Sequence, residues 1–99
     1  MIAAFSVTPL GAGESVGAMV AECVRIVRAS GLAHETNAMF TNVEGDYDEV
    51  MSVIRACVDY VASVAPRVSV VVKMDVLASD PGGRLAAKVR SVEDHLAGG

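Results

Sequence analysis

The chain has 99 residues and a net charge of −4, with lysine only at positions 73 and 88. This balance argues against nucleic acid as a partner, because phosphate neutralisation requires a basic surface. Hydrophobic residues make up 53% of the chain and aromatic residues 4%, and no apolar run is long enough to span a membrane. We therefore expect one cytoplasmic domain, residues 1–99, without a signal peptide, whose core of small aliphatic side chains is completed by self-association.

The first predicted element is a strand over residues 2–8, in which side chains alternate between two faces. The alternation places Phe5 on one face and Ser6 and Thr8 on the other. Pro9 is predicted to end the strand, because proline cannot donate a backbone hydrogen bond to a neighbouring strand.

A helix is predicted next, over about residues 14–30, and Gly31 suits its C-terminal turn. Its apolar stripe at helical spacing is Val16, Val20, Cys23, Val24 and Val27. Cys23 and Cys57 both lie on the apolar side of a predicted helix. This position favours two buried, reduced thiols over a disulfide or a catalytic thiol.

Residues 33–37 and 39–44 are predicted as two short strands that pair as a hairpin around Ala38 and Met39. The direction of the side chains in the second strand is open. One alternation groups Met39, Thr41 and Val43 on a face, and the other groups Phe40, Asn42 and Glu44.

A helix over residues 47–64 follows, with Asp46 as its N-cap and Glu49 in position for a capping box. Its predicted apolar stripe is Val50, Val53, Ile54, Cys57, Val58 and Val61. Pro66 separates this helix from residues 67–75, whose density of β-branched side chains predicts a strand. The set expected to face inward from this strand is Val68, Val70, Val72 and Met74.

The order β-α-β-β-α-β predicts a ferredoxin-like α+β sandwich, an antiparallel sheet with two helices on one face and the other face open. A third helix is predicted over residues 84–96, with Leu85, Val89, Val92 and Leu96 on one side. Since two helices already cover the sheet, we expect this additional C-terminal helix to meet another subunit or the sheet edge. The open face mixes apolar and polar groups, which suits a subunit interface with a small pocket, or an interface alone.

Short segments along nearly the whole chain carry a family resemblance. The most specific segment is Ala38-Met39-Phe40-Thr41-Asn42-Val43-Glu44-Gly45. The others are Ala4-Phe5-Ser6-Val7-Thr8-Pro9-Leu10-Gly11, Ser15-Val16-Gly17, Ser30-Gly31-Leu32, Asp48-Glu49-Val50-Met51, Ala65-Pro66-Arg67-Val68-Ser69, Lys73-Met74-Asp75 and Lys88-Val89-Arg90-Ser91-Val92-Glu93. In this order and spacing, the segments resemble the thiamine-binding protein family of small ferredoxin-like proteins.

The resemblance implies a homo-oligomer, a homodimer or a homotetramer made by packing sheets of dimers. It also implies binding of thiamine or its hydroxymethylpyrimidine moiety, without an established reaction and without a cofactor. Family members tend to carry an arginine two residues after the aspartate that matches Asp75, whereas Leu77 stands there in this chain. This departure leaves open whether a phosphorylated ligand is accepted.

Thiamine combines a flat aminopyrimidine with a cationic thiazolium, and different side chains suit each part. The candidates for the pyrimidine are the neutral residues Ser6, Thr8, Asn37 and Thr41. The candidates for the cation or the amino group are Glu44 and Asp75, and those for ring stacking are Phe40 and Tyr47.

Each candidate also has a purely structural interpretation. Ser6 and Thr41 are also suited to pairing across the sheet, and Glu44 to capping the helix predicted over residues 47–64 or accepting from loop amides. Asp75 is also suited to a surface ion pair with Lys73.

Our first hypothesis is a cytosolic, oligomeric binding module that holds thiamine or its pyrimidine precursor in a pocket at the interface between the open sheet face and another subunit. The alternative is a structural or regulatory interaction protein whose open sheet face serves only oligomerisation. An enzyme is the least favoured, since no nucleophile–base pair, metal cluster or phosphate-binding glycine loop is recognisable. No metal site is expected, because His34 and His95 lack partners at ligand spacing and Glu44, Asp46 and Asp48 match no calcium or magnesium loop.

Overall fold

The computed structural model describes residues 1–13 and 16–98 of the chain. Its elements in order are β1 (Ile2–Leu10), α1 (Val16–Ala29), β2 (Ala33–Thr36), β3 (Thr41–Glu44), α2 (Tyr47–Val64), β4 (Arg67–Asp75) and α3 (Arg84–Ala97). This order confirms the predicted α+β fold with an additional C-terminal helix, and the bounds of α2 and β4 match the prediction. The predicted start of the first helix at residue 14 lies outside the described residues.

The four strands form one antiparallel sheet in the order β2-β3-β1-β4. In the register of the sheet, Phe5 of β1 lies opposite Thr41 of β3. Residues directly opposite one another share a face, and Phe5 and Val43 are buried beneath α1 and α2. The direction of β3 is thereby settled: Thr41 and Val43 face the helices, and Asn42 and Glu44 lie on the open face.

β1 continues to Leu10, so the prediction that Pro9 ends the strand is wrong. β1 pairs with β4 along its whole length but with β3 only as far as Phe5. Beyond Phe5, one edge of β1 has no strand beside it in the described part of the chain. The missing N–H of proline therefore removes no hydrogen bond on that side.

The buried face of α1 is turned relative to the predicted stripe. Val27 is buried as expected, but Val16 and Val20 are exposed and Met19 is buried instead. The prediction was wrong for Val16 and Val20 because α1 carries apolar residues around more than one face. In such a helix, the packing partners rather than the periodicity decide which residues are buried.

α2 begins at the predicted capping box. The side chain of Asp46 accepts a hydrogen bond from the backbone N–H of Glu49 at 3.3 Å, and the Glu49 side chain accepts from the N–H of Asp46 at 3.2 Å. These two bonds satisfy donors that the first turn of a helix leaves free. The apolar stripe is confirmed, with buried residues Val50, Val53, Ile54, Cys57 and Val61.

β4 is an edge strand that leaves much of its apolar surface uncovered. Val72 lies opposite Phe5, so the predicted inward set does share the helix-covered face. Of that set, Val68 packs against the core, whereas Val70, Val72 and Met74 stay exposed. On the open face, Val71 is exposed as well. β4 therefore presents apolar side chains on both of its faces.

α3 starts at the open face of the sheet and presents its apolar stripe to the outside. Among the described residues of α3 none is buried, and Val89, Val92 and Leu96 are 53%, 60% and 71% exposed. Leu85, the first residue of the stripe, is partly buried beside the sheet, whereas Val89, Val92 and Leu96 do not meet the sheet edge as expected. A second subunit as its partner stays a prediction.

Candidate functional site

A cavity lies between α1, β1 and the turn that joins β2 to β3, beside the helix-covered face of the sheet and not on the open face, where the pocket was expected. Its volume is about 200 Å³. Five of the predicted ligand-binding residues line it: Ser6, Thr8, Asn37, Phe40 and Thr41. Phe40, a stacking candidate, is thus at the cavity, whereas the other candidate, Tyr47, is exposed at the start of α2 and does not line it.

The turn that forms one wall of the cavity is built around Asn37. Its side-chain oxygen Oδ1 accepts hydrogen bonds from the backbone N–H groups of Met39 and Phe40, each at 2.9 Å. The N–H of Asn37 donates to the carbonyl of Phe40 at 3.0 Å, which closes the turn. These bonds occupy the amide oxygen and not the amide nitrogen Nδ2, which can donate to a ligand.

Two threonine hydroxyls face each other at the strand ends beside this turn. Thr36 Oγ1 and Thr41 Oγ1 are 3.3 Å apart, and both residues line the cavity. A hydroxyl can both donate and accept. The pair can therefore present one donor and one acceptor to a polar ring.

The edge of β1 forms the floor of the cavity. Ser6 and Thr8 alternate with Phe5 and Val7, so their side chains belong to the open face of the sheet, and the two residues line the cavity along the strand edge. This is the stretch beyond Phe5, where β3 no longer pairs with β1. Unpaired backbone N–H and C=O groups of a strand edge are ready to bond with an incoming partner.

Apolar residues complete the wall, and sequence reasoning missed those from α1. The apolar residues of the wall are Phe5, Val7, Val20, Cys23, Val24, Ala38 and Met39. Of these, Val20, Cys23 and Val24 belong to α1. The signal for them was the excess of apolar residues on α1 beyond one buried stripe. No charged side chain lines the cavity in the part of the chain that the structure describes. Its surface can therefore bind an uncharged ring by shape and hydrogen bonding.

Glu44, predicted to contact a ligand, lies at the other end of β3 and caps α3. Its Oε2 accepts from the backbone N–H of Arg84 at 2.8 Å, and its Oε1 accepts from the N–H of Leu85 at 3.1 Å. Glu44 is only 7% exposed. A carboxylate at a helix N-terminus satisfies free donors and interacts favourably with the helix dipole. This placement matches the capping interpretation of Glu44, although the helix it caps is α3 rather than α2.

Asp75, the other acidic candidate, also lies apart from the cavity and holds the start of α3. Its Oδ2 is 2.9 Å from Arg84 Nη2 and also bonds Lys88. The hydrogen bonds from Lys88 and Arg84 lower the pKa of Asp75. Asp75 therefore pairs with Arg84 and Lys88 and not with Lys73, its predicted partner.

Asp80 joins the same cluster of charges. It accepts from the amino group of Met1 at 2.7 Å and from Arg84 Nη1 at 3.1 Å. The Met1 ammonium, the N–H of Gly82 and Arg84 all stabilise the carboxylate, and together they lower the pKa of Asp80 strongly. The cluster ties α3 to the end of the sheet and is a structural anchor.

The described residues, 1–13 and 16–98, contain no group of three or more His, Cys, Asp or Glu side chains arranged to hold a metal ion. Within the same residues, none of the helices has both the length and the apolar composition that crossing a membrane requires.

The model of a family described as thiamine-binding protein matches residues 3–93. The UPF0045 protein Mb1933 of Mycobacterium bovis is 50% identical over 99 residues, which cover 97% of this chain and 94% of that protein. The UPF0045 protein sll0230 of Synechocystis is 40% identical over 91 residues, which cover 91% of this chain and 74% of that protein.

Two solved structures have the same fold. A hypothetical protein of Methanocaldococcus jannaschii, MJ1052, superposes with a TM-score of 0.82 at 29% identity, covering 93% of this chain and 94% of its own. A protein of Thermotoga maritima, described as a candidate thiamine biosynthesis/salvage protein, superposes with a TM-score of 0.75 at 17% identity, covering 90% of this chain and 96% of its own. At that identity the second likeness shows the fold alone.

Proposed function

The chain belongs to the thiamine-binding protein family, and from this premise we propose that it binds thiamine or its hydroxymethylpyrimidine moiety in the cavity between α1, β1 and the β2–β3 turn. One observation carries the proposal: two segments about 30 residues apart in sequence, one with Ser6 and Thr8 and one with Asn37, Phe40 and Thr41, line a single cavity. Glu44 and Asp75 are not part of this proposed site, because both hold α3.

The polar groups around the cavity suit an aminopyrimidine. Such a ring has acceptor nitrogens next to an amino donor. The unpaired edge of β1 offers N–H and C=O groups side by side, as an adjacent strand would need them. Asn37 Nδ2 and the hydroxyls of Thr36 and Thr41 add further donors and acceptors. Phe40 offers a face for stacking.

The size and charge of the cavity indicate which half of thiamine enters. Its volume of about 200 Å³ is below the roughly 300 Å³ at the lower end for small-molecule sites, so one ring suits it better than the whole molecule. The uncharged wall suits the neutral pyrimidine, and the thiazolium then stays towards solvent. A net charge of −4 favours this cation and opposes a phosphorylated ligand.

We further propose that the chain works as a non-catalytic homo-oligomer, a dimer or a tetramer, in the cytoplasm. The exposed apolar residues of β4 and α3 support self-association, because a soluble monomer rarely leaves such surface uncovered. Two free cysteines suit a reducing compartment. The description of the family as thiamine-binding favours binding over catalysis.

The second candidate function is assembly alone, in which the apolar surface of β4 and α3 serves a structural or regulatory complex. The same exposed side chains support it. Measurement of ligand binding distinguishes the two functions, because a protein that serves only for assembly is not expected to bind a ligand in the cavity.

Titration calorimetry with hydroxymethylpyrimidine, thiamine and thiamine monophosphate tests the proposal. We expect the first two to bind and the phosphate ester to bind more weakly. Thr41→Val removes one hydroxyl from the wall and should raise the Kd roughly three- to tenfold, in line with about 0.5–1.5 kcal/mol for a hydrogen bond. Asn42→Ala is the matched control, since Asn42 adjoins Thr41 but faces away from the cavity. Absence of heat at millimolar ligand, or equal losses in both variants, would contradict the proposal.

A further inference from the structure

Cys23 of α1 and Cys57 of α2 face each other where the two helices pack. Cys23 Sγ lies 3.9 Å from the carbonyl oxygen of Cys57, and Cys57 Sγ lies 3.7 Å from the carbonyl oxygen of Cys23. Each thiol thus lies against the backbone of the other cysteine. This reciprocal contact makes the two cysteines neighbours across the helix–helix interface, and both are free.

The two thiols differ in access and in acidity. Cys23 is partly exposed and lines the cavity, whereas Cys57 is fully buried. The contact with the Cys57 side chain lowers the pKa of Cys23, and the contact with Cys23 together with burial raises the pKa of Cys57. Since the thiolate is the reactive form, Cys23 is the sulfur that reacts first.

We propose that Cys23 and Cys57 form a redox modification site, in which a hydroperoxide that enters the cavity converts the thiol pair into a disulfide between α1 and α2. The Cys23 thiolate attacks one oxygen of hydrogen peroxide, the O–O bond breaks, and Cys23 becomes a sulfenic acid, while the departing hydroxide takes up the proton that Cys23 released and leaves as water. The Cys57 sulfur then attacks the Cys23 sulfur, the S–O bond breaks, and water leaves with the Cys57 proton. The two cysteines lose two electrons, and hydrogen peroxide is reduced to two molecules of water.

The proposed modification acts on the cavity wall. A disulfide removes the Cys23 thiol and fixes its sulfur to α2, so it changes the wall beside Val20 and Val24. Conversely, a ligand in the cavity covers Cys23 and slows its oxidation. This coupling to ligand rests on the proposed function, whereas formation of the disulfide in the ligand-free chain does not.

Mass spectrometry of the ligand-free chain after treatment with hydrogen peroxide tests the pair directly. We expect a non-reduced digest to contain one intramolecular cross-link, Cys23 to Cys57, and the intact chain to lose two hydrogen atoms. In Cys57→Ala, oxidation should stop at a sulfenic acid on Cys23 that dimedone traps. In Cys23→Ala, the buried Cys57 should remain a thiol under the same treatment.

Three outcomes in the wild-type chain would overturn the proposal, and none depends on how the variants fold. The first is irreversible oxidation of Cys23 while Cys57 stays reduced. The second is the formation of cross-links only between chains. The third is that both thiols of the folded chain survive a peroxide treatment that oxidises them in the urea-unfolded chain. A second arm repeats the oxidation with saturating hydroxymethylpyrimidine, which should slow the disulfide at least tenfold. An unchanged rate there would count against ligand binding in the cavity and leave the thiol pair intact.

Discussion

Glu44 shows how one side chain connects distant parts of this chain. Both of its oxygens accept backbone N–H groups at the start of α3, 40 and 41 residues further along the sequence. The strand end holds the carboxylate rigidly, because Glu44 is paired with Ile2 on one side and Ala33 on the other. Because both oxygens of this buried carboxylate already accept backbone hydrogen bonds, the role of Glu44 is to hold α3 and not to contact a ligand.

We expect Glu44→Gln to lower the free energy of unfolding by about 1–2 kcal/mol, since one N–H loses a charged acceptor and the amide NH₂ faces another donor. Thermal and urea unfolding followed by circular dichroism measures it. Glu35→Gln is the matched control, because Glu35 of β2 lies on the same face of the sheet as Glu44 and is exposed; it should change stability by less than about 0.5 kcal/mol. Equal effects of the two variants would contradict the capping role.

At the scale of the element, the start of α3 is held by ionised carboxylates. We therefore expect acid to weaken the attachment of α3 to the sheet. The pKa of Asp80 is lowered in the folded chain by the Met1 ammonium, the N–H of Gly82 and Arg84. A lowered folded pKa means that its contribution is complete above the unfolded value of about 3.9 and declines as the pH falls towards the folded value. Stability should therefore fall as the pH drops below about 4.

The free energy of unfolding, measured at intervals between neutral pH and strong acid, checks this expectation. Asp80→Asn should be less stable than the wild type at neutral pH and should lose less stability on acidification. Asp59→Asn removes a carboxylate from an exposed ion pair on α2 and controls for the change in net charge. If the free energy of unfolding of Asp80→Asn falls as steeply on acidification as that of the wild type, Asp80 does not anchor α3.

The elements differ in how far the sequence predicts them, for physical reasons. The capping box of Asp46 and the β-branched run of residues 67–75 are local signals, so α2 and β4 were predicted with the correct bounds. The continuation of β1 through Pro9 depends on where β3 stops, which is a property of the register. The cavity arises from that same mismatch in strand length. The sequence therefore predicted five of the residues that line it, but not the contribution of α1.

At the scale of the whole molecule, the chain is more extended than its length requires. Its radius of gyration is 15.1 Å and its dimensions are 48 × 29 × 21 Å, whereas a compact chain of this length has a radius of roughly 13 Å. α3, with its exposed stripe, and β4, an edge strand with apolar residues on both faces, account for the uncovered apolar surface. A helix without a buried residue gains little stability within one subunit. Burial against another copy of the chain would supply it.

We expect the wild-type chain to sediment as a dimer or a tetramer and Val92→Lys to weaken its association at least tenfold, or about 1.4 kcal/mol, because a buried interface opposes an unpaired charge. Ala87→Lys is the matched control: the same charge is added to an exposed position on the opposite side of α3. Sedimentation velocity over a range of concentrations measures both variants.

Circular dichroism of both variants checks that the helices remain, which we expect because lysine is a good helix former and an exposed position tolerates it. If the wild-type chain is a monomer at all concentrations, the exposed stripe has no partner of its own kind, and assembly is removed from the proposal while the cavity remains. If both variants weaken association equally, the added charge rather than the stripe is responsible. A loss confined to Val92→Lys would identify the stripe of α3 as the surface through which copies of this chain meet.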